Sequence, residues 1–452
     1  MAKIIFIYII LGAIVLGMLK RKTKKMSFAG GYAGFTFGML IYYVIVPILI
    51  IINETNFRNG IGFGYDRIIN YIYEAEYYNF LFLIVLVGIG FIGFNCGYKT
   101  LFLKNLKKDT ESKIKTISNE YNNEKLMKII NNVAFFALAI GGVSLILFFL
   151  FVGGVGKALM LAQTTRGFEH SVTDINYFAG IAKLFARMMP ISAIMFFYLF
   201  LTRNKKSDKI LLVITFIMSI LLYLTYAGRT PLLTFLLIFL FFLMRLFFKK
   251  VWFKIIFLGV LSIPLLDMLS QVFIYFQSGV WISSESNYLD YLRQFAPPTF
   301  VGLNLQDIVD VYGFRFYKDV VTDVIGLLPG ISFQYSYENT SQYFNGIYWR
   351  NYGGIPNDVI SYGYIQFGIL GVFITLFSWG MIMGILDRII YTIPNQIGGT
   401  VIATILATHV YQIVFAADLA PILLTHNIFI MTTIILLIYN QVKKINNQGK
   451  LL

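Results

Sequence analysis

Arg166, Lys183, Arg187 and Arg229 stand inside or beside long apolar runs, and Arg293, Arg315 and Arg350 lie in the longest stretch between such runs. A charge at the centre of a bilayer costs about 2.5–3.5 kcal/mol to insert, so each basic residue there calls for a partner. Phosphate is a natural one, because a guanidinium donates two parallel hydrogen bonds to it and keeps its charge when buried. Arg229 sits in AGRTPLL, in a very short turn beside Pro231. Lys183 and Arg187 are one helical turn apart, and Arg166 precedes them. Gathered on one side of a membrane, these residues fit a lipid-linked diphosphate headgroup. Snorkelling to phospholipid headgroups explains any one of them singly.

A departing diphosphate needs its developing charge stabilised more than it needs a proton, and arginines supply that without a metal. An attacking hydroxyl needs a base. Glu338, Asp358 and His170 (in TTRGFEH, beside Arg166) are the candidates, with Arg229 on the leaving group. Tyr335, Tyr337, Tyr343, Tyr348, Trp349 and Tyr352 crowd the end of the long stretch and could stack on sugar rings. An interfacial aromatic belt is the other reading of the same residues. His409 and His426 face each other across the last hairpin, a placement that more often serves packing.

The elements that must position these groups follow from composition. Hydrophobic residues make up 58% of the 452 and charged residues 13%, and mean hydropathy is +0.73. A soluble domain carries about 25% charge, so the chain reads as an all-α polytopic membrane protein. About 20 apolar residues cross a bilayer. Runs of that kind recur at 4–19, 28–52, 79–98, 129–152, 178–202, 210–227, 231–248, 251–273, 358–386, 397–417 and 421–440, about eleven transmembrane helices. The chain divides into helices 1–8 (1–273), a large loop (274–357), and helices 9–11 with a tail (358–452). Most of the 37 basic residues fall on one side of this arrangement. By the bias of Lys and Arg toward cytoplasmic loops, the carboxyl terminus is cytoplasmic and the amino terminus external. The large loop is then external. Within it, 315–328 places Phe316, Val320, Val324 and Leu327 on one helical face, as in a helix lying in the membrane interface. The lysine-rich 99–128 loop reads as a solvated, partly helical orientation signal near anionic lipid.

Other chemistries are poorly served. Cys96 is the single cysteine, which excludes a disulfide framework. Gly88, Gly90 and Gly93 spell GxGxxG inside an apolar span with no strand before it, so they do not form a dinucleotide fingerprint. Gly30, Gly34 and Gly38 form a small-xxx-small ladder for close helix packing. Walker A, HExxH and DxD motifs are absent. Glu74 and Glu76 are the nearest approach to paired carboxylates, and no metal or cofactor is expected.

AGRTPLLTFLLIFLFF, then the large loop, then YGGIPNDVISYGYIQFGILGVFITLFSWGMIMGILDR, resembles the O-antigen or oligosaccharide repeat-unit polymerases (Wzy-type). The matching positions are Gly228, Arg229 and Thr230, then Pro356, Asn357, Asp358, Tyr364, Phe367, Gly368 and Gly371. The likeness in topology spans nearly the whole chain; the likeness in sequence spans about a fifth. The resemblance implies a bacterial inner-membrane glycosyltransferase that moves a glycan from undecaprenyl diphosphate onto another lipid-linked repeat unit, with a separate chain-length co-polymerase as partner. Asn357, Tyr362 and Tyr364 join Tyr348, Trp349 and Tyr352 as candidate sugar-binding residues. The related O-antigen ligases usually carry a functional histidine in the large loop. Residues 274–357 contain none, which favours polymerase. A lipid-linked oligosaccharide flippase is the competing class.

Overall fold

The computed structural model describes residues 2–23, 30–53, 72–110, 116–159, 177–225, 229–243, 265, 268–269, 271–272, 275, 295–325, 337–345, 355–393, 396–419, 422 and 426–448. Every regular element among them is helical. Seven helices are long and apolar enough to cross a membrane: Lys3–Arg21, Gly31–Ile52, Tyr77–Thr100, Leu126–Val152, Tyr177–Arg203, Lys206–Thr225 and Val359–Tyr391. Shorter apolar helices cover Pro231–Leu240, Gly399–Phe415 and Ile428–Gln441. The expected span at 251–273 lies largely outside the described residues. Helix continues beyond the apolar runs into the lysine-rich segment, to Thr110 on one side and from Thr116 on the other.

The burial pattern is that of chains solvated by lipid. Along Lys206–Thr225, Asp208, Thr215, Ser219 and Thr225 are buried while Ile210, Val213, Ile214 and Ile217 are exposed. Water would favour the reverse, whereas hydrocarbon favours apolar side chains outward and polar ones paired within.

The chain forms two units. The first comprises Met1–Glu111, Asn287–Arg388 and Leu406–His426. Glycines set its helix contacts. A Cβ on Gly34 would run into the Ala407 backbone, and one on Gly38 would lie 3.0 Å from the Val414 side chain. The GxGxxG run has the same use: Gly90 faces Ile360, Val372 and Leu376, Gly93 faces the Phe373 carbonyl, and Gly97 faces that of Phe377. Asp387 fastens one end of this unit, accepting the Gly31 and Tyr32 amides at 2.7 and 3.0 Å and the Tyr98 hydroxyl at 3.1 Å. The carboxylate thereby satisfies amides that open the Gly31–Ile52 helix.

The second unit comprises Ser112–Ser286, Ile389–Ile405 and Asn427–Leu452. Its Tyr177–Arg203 span bends at Arg187, which separates Tyr177–Ala186 from Met188–Arg203. Gly141 lets Thr116–Val152 approach the backbone at Met189, and Ser192 donates to the Ala134 carbonyl at 2.9 Å. Arg203 donates to Asn131 at 2.8 Å.

Candidate functional site

The expected ninth span is not one helix. Within Val359–Tyr391, Phe367 (φ −152, ψ 28) and Gly368 (φ 61, ψ −144) leave helical geometry. The Gly368 conformation is open essentially to glycine alone. A Cβ on Gly363 would lie 2.8 Å from the Val372 Cα, and one on Gly371 would strike the Gly363 carbonyl. In a straight helix residues 363 and 371 are about 12 Å apart, so the chain reverses at Phe367–Gly368. Residues 359–366 run back along 369–391, and Ile360 and Leu376 meet at Gly90. At 1.5 Å per residue the 369–391 arm is about 34 Å long, a bilayer crossing by itself. The same rise puts Asp358 roughly 15 Å along the axis from Asp387. The Tyr-x-x-Phe-Gly-x-x-Gly stretch thus has a physical basis: Gly368 makes the turn and Gly371 permits the contact beside it.

A reversal exposes the last carbonyls of the short arm, and residues 315–317 cover them. Arg315 N donates to the Ile365 carbonyl at 3.0 Å and Phe316 N to that of Gln366 at 3.1 Å. Tyr317 N donates to Gln366 Oε1 at 2.6 Å, and the Tyr317 hydroxyl meets Thr375 Oγ1 at 2.8 Å. Burial raises the Tyr317 phenol above its ordinary pKa, against the lowering effect of Thr375, so it remains a neutral hydroxyl. Phe316 and Tyr317 both have positive φ, at 54° and 56°. Left-handed geometry costs a non-glycine residue about 1–2 kcal/mol, a strain that the capping bonds offset. Rings close round the turn. Phe316 packs edge-on to Phe367 at 4.8 Å, and Tyr364 to Phe82 at 5.5 Å. Arg315 Nε is buried there without a hydrogen-bond partner.

Of the expected 315–328 helix, Lys318–Ile325 is helical and 326–328 lie outside the described residues; the buried face is one the periodicity did not indicate. Asp319 is buried and takes Gln366 Nε2 on both oxygens, while Phe316, Val321 and Ile325 are exposed. All of Pro297–Leu303 is buried, with Gly302 against Leu83.

At the start of the short arm lies a buried polar knot. Asp358 caps the helix, accepting the Ile360 and Ser361 amides at 2.9 and 3.0 Å, the Ser361 hydroxyl and the Tyr43 hydroxyl. Tyr43 reaches it from the π-helical turn Ile41–Ile45. Asn357 donates its amide N–H and Nδ2 to Asp418 at 3.0 Å each and accepts from Thr340 at 2.5 Å. Both residues therefore hold backbone in place: Asp358 as a base and Asn357 as a sugar ligand would have to act with these bonds already made. Tyr362 and Tyr364 are buried beside the turn, and the rings open to solvent or lipid there are Phe314, Phe316 and Phe367.

Lys183 and Arg187 belong to the second unit. Lys183 is half-buried, donates to the Thr225 carbonyl at 3.0 Å and lies 5.4 Å over the Phe148 ring. Arg187 occupies the bend, its amide donating to the Leu184 carbonyl at 3.3 Å. His409 and His426 do face each other, Nδ1 to Nδ1 at 3.0 Å. Arg166, His170, Arg293, Tyr348, Trp349, Arg350 and Tyr352 lie outside the described residues, as do the side chains of Arg229 and Glu338.

Sequence reasoning missed Tyr43, Asp319, Gln366, Asp387 and Asp418. The charge-in-apolar-run argument was applied to basic residues, and applied equally to acids it singles out Asp387 and Asp418. Nothing in the linear pattern pairs Gln366 with Asp319, 47 residues away. No family model, curated protein or solved structure matches the chain.

Proposed function

We propose that the chain is a membrane glycosyltransferase that polymerises undecaprenyl-diphosphate-linked repeat units on the outer face of a bacterial inner membrane. In this reading it has about eleven spans, an external amino terminus, a cytoplasmic carboxyl terminus and the 274–357 loop outside. The observation that carries it is the seating of that loop on the Phe367–Gly368 reversal, which leaves the Arg315 Nε–H buried and unbonded. An unpaired guanidinium donor beside exposed rings suits a phosphorylated sugar. Arg229 is the ligand of the leaving diphosphate, with Arg166, Lys183 and Arg187 of the same unit, and Arg293, Arg315 and Arg350 form a second phosphate-binding set within the first unit. The acceptor hydroxyl attacks the anomeric carbon and gives its proton to a base, Glu338 or His170. The anomeric carbon–oxygen bond to phosphate breaks, and the diphosphate departs with its charge held by arginine. Asp358 keeps the short arm in register.

A second reading has one observation in its favour. Many transporters place their substrate at a broken helix partway through the membrane, and the Asp358–Asn357–Asp418 knot lies partway along the long arm. Analysis of surface polysaccharide in a deletion strain separates the two. Lipid bearing one repeat unit and no polymer is expected; loss of all surface repeat units would point to a flippase or ligase instead.

A further inference from the structure

The Lys206–Thr225 helix carries a groove unrelated to the reversal. It is a shallow, open hollow of about 460 Å³, lined among the described residues by Lys206, Lys209, Ile210, Val213 and Ile214. At 100° per residue these positions share one stripe, and Ile217 extends it. The opposite face holds Asp208, Thr215, Ser219 and Leu222, all buried. Every residue lining the groove is exposed, Ile210 at 60%. Among the described residues that line it, charge lies only at its head: both lysines project from the first turn, and Lys205 precedes them, exposed. The helix N-terminus adds its own partial positive charge at that level. Asp208, the one nearby acid on this helix, points to the buried side.

A positive head above an apolar wall on one face of a membrane-crossing helix is the complement of an anionic phospholipid. We propose that this groove is a selective anionic-phospholipid site. Lys206 and Lys209 take the phosphate, and Ile210, Val213, Ile214 and Ile217 take the upper part of an acyl chain. A free anion fits the head but leaves the wall uncovered. A zwitterionic lipid fits the wall but brings its own cation to the lysines. Each lysine near an anionic headgroup strengthens binding about fivefold, so the pair accounts for roughly thirtyfold selectivity.

The test is native mass spectrometry of the full-length protein in detergent. Phosphatidylglycerol is titrated against phosphatidylcholine of the same chain length, and glycerol phosphate serves as the chainless probe. Phosphatidylglycerol should be retained preferentially, and the Lys206→Gln/Lys209→Gln protein should lose about thirtyfold in that preference. Lys20→Gln/Arg21→Gln removes the same charge from another exposed helix end and should leave the preference intact. Val213→Asn should weaken phosphatidylglycerol retention without touching the lysines. All five substituted positions are exposed, and an unchanged melting temperature checks folding. Equal retention of both lipids, full binding of glycerol phosphate, or loss of a protein dimer rather than of lipid in the double variant would each overturn the proposal.

Discussion

Gln366 Nε2 lies 3.0 and 2.9 Å from the two carboxylate oxygens of Asp319, both residues buried. This contact joins the last residue of the short helical arm to the first turn of Lys318–Ile325. Around it the Arg315, Phe316 and Tyr317 amides complete the cover over the reversal. Gln366→Leu leaves a buried carboxylate without that donor, which costs about 2–3 kcal/mol. Amide hydrogen exchange at residues 315–317 should quicken accordingly. Adding Asp319→Leu removes the stranded carboxylate and should restore much of the protection at Arg315 and Phe316, while the Tyr317 amide, which loses its Gln366 Oε1 acceptor in both variants, stays fast. Unchanged exchange in the single variant would show that the loop is held elsewhere.

Gly371→Ala tests the reversal itself. Its Cβ would strike the Gly363 carbonyl and lie 3.0 Å from Phe367 Cβ, so the two arms must part. Overpacking of this kind costs about 1–3 kcal/mol. Melting in detergent, followed by size-exclusion chromatography, should move to lower temperature. Gly88→Ala, in the same unit and facing open space, should melt as the wild type does. A continuous helix through 367–368 would make the two variants alike.

Arg229 carries the chemical side of the proposed function. Losing a charge-assisted hydrogen bond costs about 1.5–3 kcal/mol, or roughly ten- to more than a hundredfold in rate if it is felt in the transition state. Arg229→Ala should show that loss in polymer formation from purified lipid-linked repeat units, with folding checked by chromatography. Arg229→Lys keeps the charge without the planar fork and should fall between the two. Full rescue by lysine would return the residue to snorkelling.

Sidedness is open to a direct check with an impermeant thiol reagent in a protein lacking the exposed Cys96. Ser284→Cys and Lys318→Cys should label from outside intact cells. Labelling only after the inner membrane is permeabilised would invert the topology and remove the basis for an external active site. Ser341, in the same loop, is buried and accepts the Ile355 amide at 2.8 Å, so a cysteine there should stay unlabelled in either orientation.

Hydropathy read along the chain was enough for the membrane class and for the approximate limits of the seven long apolar helices among the described residues. Length of apolar sequence, not its three-dimensional partner, decides whether a helix can cross a bilayer. The glycine ladder at Gly30, Gly34 and Gly38 was legible for a similar reason: closely packed helices require small residues whatever lies opposite. The reversal at Phe367–Gly368 was not legible. Ile365, Phe367, Ile369 and Leu370 are as apolar in a hairpin as in a straight span, and hydropathy carries no direction. Only the approach of Gly363 to Gly371 and Val372 distinguishes the two. The partners of Asp358, Asp319 and Asp387 were hidden likewise, since Tyr43, Gln366 and Gly31 stand tens to hundreds of residues away in sequence. Burial forbids an unpaired carboxylate, but which donor answers it is decided when the helices pack.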